Sequence, residues 1–502
     1  MRRMRLSALF EGLAVTRVAG GGDVAVTGVR DDSRLVERGD LFIARRGTVA
    51  DGARFAADAA ARGAAAVLAE RPIEGLGETA QFTGDARGLT GVLAERFHGE
   101  PSRKLRLVGV TGTNGKSTTA WMVRHLARST GRKCGLLSTV EVDVGGATPE
   151  AAKLTTPGAC ELSAWLAAMV DHGCVEAVME VSSHALDQGR AAALAFDVGV
   201  FTNLTQDHLD YHHTMEAYGE AKAKLFKMLR GGRAVVNADD PWSERMVERT
   251  GAKVVRFGMG ESADLRGSVE AMSARGMTVD VRWGGAGSRV ELPLIGRYNV
   301  ANLLGALGAA ATEEIGLGAL AEAATTMPSA PGRLERVSDD NAPFTVIVDY
   351  AHTDDALRNA LAALRPLVPP GSKLRVVFGC GGDRDRDKRP RMASAACELA
   401  DRVVVTSDNP RTESASGIID RIMAGVPSSA RSRVSTVVDR RGAIERAVEE
   451  AGPGDVVMIA GKGHEDYQVI GEERRPFDDR VEARACLRDR FGDGASMEGQ
   501  RS

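Results

Sequence analysis

The chain has 502 residues, too many for one ordinary domain, and its 43% hydrophobic content can fill several cores. Aromatics make up 4%, so those cores rest on aliphatic packing, and a net charge of −3 gives no electrostatic footprint for nucleic acid. The six cysteines (Cys134, Cys160, Cys174, Cys380, Cys397 and Cys486) have no CxxC spacing, so no zinc or redox motif is signalled; they read as half-buried thiols of a reducing compartment.

The chain opens "MRRMRLSALFEGLAV". Glu11 breaks the apolar run and no small-residue cleavage site follows, so a secretory signal is not expected. No later stretch has the uninterrupted apolar length to cross a bilayer, which predicts a soluble, cytoplasmic protein without membrane partners. With "DDSRLVERGDLFIARRG" and an Ala-rich stretch over 56–70, the first hundred residues read as a smaller unit, 1–103.

"KLRLVGV" has the β-branched character of a buried strand, and "STTAWMVRHLARST" opens with hydroxyls suited to a helix start. The loop between them, "GVTGTNGKST", lacks the usual first glycine of a phosphate loop: Val110 stands five places before Gly115. Its strand–loop–helix context nevertheless predicts nucleotide binding. Gly112 and Gly115 carry no Cβ to obstruct inward-turned N–H groups, Lys116 supplies a point charge, and Ser117 a hydroxyl for Mg²⁺.

Strand-like and helix-like runs then alternate through "EAVMEVS", "AFDVGVFTNL", "MEAYGEAKAKLFKMLR" and "RAVVNADD", which argues for a parallel sheet covered by helices. "MEVSSHAL" places Glu180, Ser182, Ser183 and His184 at one strand end; "FTNLTQDHLDYHH" places Asp207, His208, Asp210 and His212 at another. Such polar ends in a sheet that carries a phosphate loop are candidate metal and substrate groups. "GMTVDVRW" and "SRVELPL" predict an edge hairpin, and "PSAPGRLERV" a linker. Beyond it "FTVIVDYA", "KLRVVFGCGG", "DRVVVTSDNP" and "DVVMIAGKG" are strands ending in Gly, Asp or His. The fold class is therefore α/β with three domains, 1–103, 104–332 and 333–502, followed by a polar tail, "GDGASMEGQRS", expected to be disordered.

Together, "GVTGTNGKST", "MEVSSHAL", "NLTQDHLDYH", "GRYNVANLLGA", "VDYAHTDDAL" and "GKGHEDYQ" resemble the Mur ligases of peptidoglycan synthesis, whose phosphate loop has this GTNGKS form. The resemblance spans Asp32 to Arg480 and implies a substrate domain, a central ATP-binding domain and a Rossmann-like C-terminal domain. It implies ATP as co-substrate, about two Mg²⁺ ions, and a monomer acting on small molecules. It also implies that Gly112, Thr113, Asn114, Gly115, Lys116, Ser117, Thr118, Asn302, Arg333, Asp349 and His352 surround ATP. Ser117, Glu180 and His208 are the implied metal ligands, joined by Lys222 as a CO₂-derived carbamate, and Lys116, Lys222, Arg333 and His208 carry catalysis.

By the same resemblance Ser33, Thr48, Val49 and Ala50 hold a uridine-nucleotide end, and Thr155, Thr156, Ser182, Gln188 and Arg190 a muramoyl-dipeptide. The family member most similar adds a diamino acid. Asp408, Asn409, Pro410 and Arg411 of "DNPR" match the form that adds meso-diaminopimelate, with Arg384, Gly461 and Glu465 completing that pocket. The chemistry agrees: diaminopimelate exceeds lysine by one carboxylate, which an arginine holds bidentately. Asp354 departs from the family, where proline is usual, and an added carboxylate there could change nucleotide affinity. The alternatives are a lysine-adding or folate-polyglutamate-type ligase, or a non-catalytic nucleotide sensor on the same scaffold.

Overall fold

The computed structural model describes residues 2–492 apart from 21, 48–49, 147, 152–153 and 340–341. Its contacts divide it into two compact units, the first built mainly from 1–266 with 301–323, the second mainly from 324 onward with 267–281 and 288–300.

The first unit contains a two-stranded pair, Met4–Arg5 with Ala25–Val26, and two large sheets. The N-terminal one runs Thr16–Ala19, Ala80–Thr83, Ala66–Ala69, Leu41–Ala44, Val29–Arg30, parallel except for the first pair. Its inner strands Ala66–Ala69 and Leu41–Ala44 are buried on both faces, as parallel strands between covering layers must be. Helix Ala86–His98, capped by the Asp85 carboxylate and stopped by Gly99 at φ 77°, packs against helix Ala159–Asp171. Glu95 fastens the junction, accepting bonds from Ser102 and Ser163. The N-terminal region thus has its own sheet and cores, yet it forms one compact unit with the second sheet.

The centre of the larger sheet runs Cys134–Leu137, Glu176–Glu180, Arg106–Thr111, Phe196–Phe201, Leu229–Asn237, Lys253–Gly258, all parallel, with Glu141–Asp143 added antiparallel beside Cys134–Leu137. After Arg106–Thr111 the chain fills one side of that strand and then the other. The loop at its carboxyl end therefore opens where the strand order reverses, the usual place for a ligand in an open α/β sheet. At the opposite end Arg106 and Arg132 grip the buried Glu176 at 2.8 and 2.7 Å. With Arg233 they also cap the last carbonyls of helix Tyr298–Ala310, from Gly308 to Ala311.

The second unit is built on a sheet ordered Glu335–Arg336, Thr345–Asp349, Val456–Ala460, Leu374–Phe378, Arg402–Val405, Val434–Thr436, parallel except at Glu335–Arg336. Alternate side chains feed two cores. Val376, Phe378 and Met458 face helices Asp354–Leu364, Lys388–Leu399 and Ala415–Met423; Val377, Val457 and Ile459 face Arg440–Glu449 and Asp479–Phe491. The predicted edge strands exist as Gly276–Trp283 and Ala286–Leu292, with Gly284 and Gly285 at positive φ.

Three details differ from the sequence expectation. All six cysteines are buried and unbridged, not half-buried. The "PSAPGRLERV" stretch is no loose linker: Gly332 (φ 64°) lies so close to Gly463 that a Cβ would meet its carbonyl carbon at 2.0 Å. Asp207 and His208 lie beyond their strand, which stops at Phe201, and Asp210 and His212 sit on a short helix, Leu209–His212. Among the described residues no helix is long and apolar enough to cross a membrane. Residues 493–502, most of the polar tail, lie outside the described set.

Candidate functional site

The loop "GVTGTNGKST" leaves strand Arg106–Thr111 and enters helix Lys116–Ser129. Its two inner glycines are sterically required. A Cβ on Gly112 (φ 149°) would lie 1.9 Å from Thr202 Oγ1, and one on Gly115 (φ 84°) 2.4 Å from Asn302 Oδ1. The adjoining strand-end segment buttresses the loop: Thr113 N donates to Asn203 O at 2.8 Å, Asn114 N to Asn203 Oδ1 at 2.9 Å, and Thr202 Oγ1 to Asn114 O at 2.6 Å. Lys116 Nζ donates to the loop carbonyls of Gly112 and Thr113 at 3.0 and 2.8 Å. Ser117 and Thr118 are buried in the first turn, while Asn302 Oδ1 lies 3.4 Å from Thr119 Oγ1. Sequence reasoning missed Thr202 and Asn203, whose signal was their place directly after an apolar strand.

Lys222 comes from helix Met215–Lys227, capped by Thr214. It is 1% exposed and donates to Gly112 O at 2.8 Å, with Tyr218's ring 4.4 Å from its nitrogen. Burial, aided by the Lys116 charge and weakly opposed by Asp207, pushes its pKa well below the usual lysine range. The neutral amine thus favoured is the form that can add CO₂. Glu180 ends the strand paired alongside Arg106–Thr111, level with Val110. Its buried carboxylate accepts from Thr139 N at 2.7 Å and Thr139 Oγ1 at 3.3 Å. His208 adopts positive φ (53°) with its side chain half-exposed; partial desolvation lowers its pKa, so a neutral imidazole is favoured. The glycine cradle, the buried carboxylate and the neutral histidine suit Mg²⁺ and a polyphosphate. Among the described residues no three His, Cys, Asp or Glu side chains form a metal cluster; of the expected set only Glu180 and His208 are of these types, the others being the Ser117 hydroxyl and Lys222 as a carbamate.

The residues matched to the muramoyl-dipeptide form one network. Thr156 Oγ1 donates to Glu180 O at 3.0 Å and accepts from Ser182 N at 3.0 Å. Arg190 donates to Thr156 O at 2.8 Å and to Gln188 Oε1, and Thr155 Oγ1 accepts from Thr139 Oγ1 at 3.1 Å. Ser33 is buried at the start of a 3₁₀ turn capped by Asp32. Asp51, the residue after Ala50 in the chain, lines a polar cavity of about 300 Å³ with Arg46, Glu70 and Arg71. Thr48 and Val49 lie outside the described residues.

In the second unit the expected groups stand at the carboxyl ends of its parallel strands. Asp349 ends one strand and accepts from Leu334 N at 2.7 Å and Ala351 N at 2.8 Å. Burial raises its pKa, and Arg333 partly offsets this. Arg333 lies 4.6 Å over the Tyr350 ring, its Nε buried without a partner. His352 is exposed, Nδ1 2.9 Å from Tyr350 O. Asp354 opens a helix, where its charge suits the helix dipole, and lies 3.7 Å from Arg391.

The "DNPR" loop is held from three directions. Arg411 takes positive φ (51°), donates to Gly382 O at 2.7 Å and pairs through its backbone with Val469 and Gly471. Thr412 donates to the Asp383 carboxylate, and Glu413 accepts bonds from the two terminal guanidinium nitrogens of the buried Arg389 at 3.0 and 2.8 Å. Pro410 O faces Gly382 so closely that a Cβ there would overlap it. Arg384 is exposed beside Gly381. Gly461, at φ 121°, starts the loop that carries Glu465, which accepts from Asn409 Nδ2 at 2.9 Å. Burial, with the neighbouring Asp408 charge, raises the Glu465 pKa. Burial would also raise Asp408, but Lys462 and Arg440 outweigh it and hold that carboxyl below its usual range. Lys462 and Arg389 are the residues that sequence reasoning missed here.

Three family models match: the Mur ligase family catalytic domain over 25–81, the Mur ligase middle domain over 110–310, and the Mur ligase glutamate ligase domain over 332–463. A UDP-N-acetylmuramoyl-L-alanyl-D-glutamate–2,6-diaminopimelate ligase of Synechococcus elongatus is 46% identical over 93% of this chain and 95% of its own. The ligase of the same name from Geobacillus kaustophilus is 44% identical over 97% of this chain and all of its own. A solved structure bearing that name superposes with a TM-score of 0.71 at 35% identity, covering 98% of this chain and 99% of the other. Matched by three family models and, over nearly its full length, by relatives 44–46% identical, the chain belongs to the Mur ligase family.

Proposed function

We propose that this chain is the ATP-dependent ligase that adds meso-2,6-diaminopimelate to UDP-N-acetylmuramoyl-L-alanyl-D-glutamate, supplying a peptidoglycan precursor. The observation that carries this reading is likeness to ligases of that name from one end of the chain to the other. Arg411 and Glu465 on one loop assembly support it, since the diamino acid brings a distal carboxylate and an ammonium to be recognised. Arg384 is assigned to the same carboxylate. The domain boundaries at 103/104 and 332/333 belong to the same reading.

In this reading the γ-carboxylate of the D-glutamate attacks the terminal phosphorus of ATP, releasing ADP and forming an acyl phosphate. The amine of diaminopimelate then attacks the acyl carbon; phosphate leaves, the amine gives up a proton, and an amide results. Gly112 to Thr118 cradle the phosphates, with Lys116 leaving its loop carbonyls to meet them. Asn302, Asp349 and His352 are assigned to the rest of the nucleotide, and Arg333 to its phosphate charge. Thr155, Thr156, Ser182, Gln188 and Arg190 orient the dipeptide, while Ser33 and Ala50 take the uridine end. Mg²⁺, about two ions, supplies positive charge at the phosphate oxygens when bound, with Ser117, Glu180 and His208 to hold it. Lys222 contributes a further oxygen ligand: its neutral nitrogen bonds the carbon of CO₂ and loses a proton, leaving a carbamate.

The test is phosphate release by the purified chain with ATP, Mg²⁺ and the UDP-muramoyl-dipeptide, supplying diaminopimelate or lysine in parallel. Release with diaminopimelate alone is expected. Equal release with lysine would remove the selectivity assigned to Arg411, and no release with either would overturn the reading.

A further inference from the structure

Lys462 is a fully buried ammonium at the floor of the diamino-acid loops. It follows Gly461 at the end of strand Val456–Ala460, and its side chain is 0% exposed. Two hydrogen bonds, to Tyr467 O at 2.7 Å and Asn409 Oδ1 at 3.0 Å, and an ion pair with Asp408 Oδ1 at 3.2 Å occupy it. A group so occupied does not reach a substrate. What it controls is the orientation of Asn409. Oδ1 of that amide faces two donors, Lys462 Nζ and Val469 N (3.0 Å), which turns Nδ2 towards Glu465 and its 2.9 Å bond to Oε2. Lys462 Nζ is also 3.8 Å from Glu465 itself.

We propose that Lys462 is the positioning residue and internal counter-ion of the diamino-acid site, fixing the Asn409–Glu465 pair and neutralising Asp408 so that Glu465 meets the incoming ammonium as a carboxylate. The proposal rests on the diaminopimelate reading. Its physical basis is a count of charges. Asp408 and Glu465 are like charges sharing a partly enclosed space; of the other cations near them, Arg440 is already committed to Asp479 in a bidentate pair at 2.7 Å, and Arg411 donates to Gly382 O at 2.7 Å. Without Lys462 the pair loses its nearest counter-charge, and protonation of one carboxyl is favoured even with Arg411 and Arg440 nearby. Glu465 already leans that way, and a protonated Glu465 binds an ammonium poorly.

The experiment compares phosphate release by the wild-type chain and by Lys462→Met at varied diaminopimelate, with ATP and UDP-muramoyl-dipeptide saturating. The expected result is a KM for diaminopimelate raised tenfold or more, with the KM for ATP unchanged within twofold. The acid limb of kcat/KM for diaminopimelate should also move about one pH unit upward. A structural defect alone would not move that limb. Adding Asp408→Asn to Lys462→Met removes the repulsion and should return the limb towards its wild-type position. An unaltered KM and limb in a folded Lys462→Met chain would overturn the proposal. Should Lys462→Met fail to fold, Asn409→Asp tests the same relay without emptying the lysine's site. It replaces the donor to Glu465 with a like charge, so an unchanged KM for diaminopimelate there would also overturn it. A wild-type chain that ignores diaminopimelate would count against the function, not against Lys462.

Discussion

Glu413, two residues beyond Arg411, shows how a side chain that touches no substrate sets the geometry of one that should. Its carboxylate takes two bonds from Arg389 and one from Asp383 N, and these partners hold its pKa down to about 2. Because the folded value lies below the ordinary 4.5, the pairing stabilises the fold fully above about pH 4.5. That contribution is lost as pH falls towards about 2. Glu413→Gln should therefore lower the urea midpoint clearly at about pH 6 and by much less at about pH 3. A gap that stays constant across that range would show that the charge is irrelevant. Arg411 was legible in the sequence because "DNPR" is a recognisable string, whereas Arg389 and Glu413 were not. They lie 24 positions apart, and a sequence lists charges without saying which ones meet. Lys462 went unnoticed for a related reason: a lysine beside two glycines reads as exposed, and only the fold encloses it.

At the scale of elements, apolar runs bounded by Gly, Asp and His were readable as parallel strands, and the phosphate loop as the joint between strand and helix. Strand order was not readable, since it depends on long-range pairing, and so neither was the support behind the loop. Thr202 and Asn203 directly follow the strand paired with the loop's own, about ninety residues later in the chain. That support makes a specific prediction. In Gly112→Ala the new methyl would meet Thr202 Oγ1 at 1.9 Å, at a backbone φ of 149° that L residues rarely adopt. The loop must deform or lose the Thr202–Asn114 bond, a cost of about 1–3 kcal/mol that appears as weaker nucleotide binding by one to two powers of ten. Titration with a fluorescent ADP analogue measures it. Adding Thr202→Ala removes the opposing hydroxyl and should recover part of the loss, because the two positions are in contact. Equal affinities for Gly112→Ala and the wild type would mean that the loop does not bind in this conformation.

At the scale of the whole molecule, the two compact units have separate hydrophobic cores, and each carries a different share of the chemistry. The phosphate loop, Glu180, His208 and Lys222 belong to the first; Asp408, Arg411, Lys462 and Glu465 belong to the second. A ligand stabilises what it binds when folded, by about 2.7 kcal/mol at a hundred times its Kd. For a unit of this size that corresponds to roughly 5–10 °C in Tm. Differential scanning calorimetry should therefore resolve two transitions whose responses separate. ADP with Mg²⁺ should raise the one assigned to the first unit, and diaminopimelate the one assigned to the second. Lys116→Ala fixes the assignment, since it should abolish the ADP shift while leaving the diaminopimelate shift in place. A single transition raised equally by either ligand would show that the units unfold as one cooperative body. The separation of binding chemistry between them would then have no counterpart in their stability.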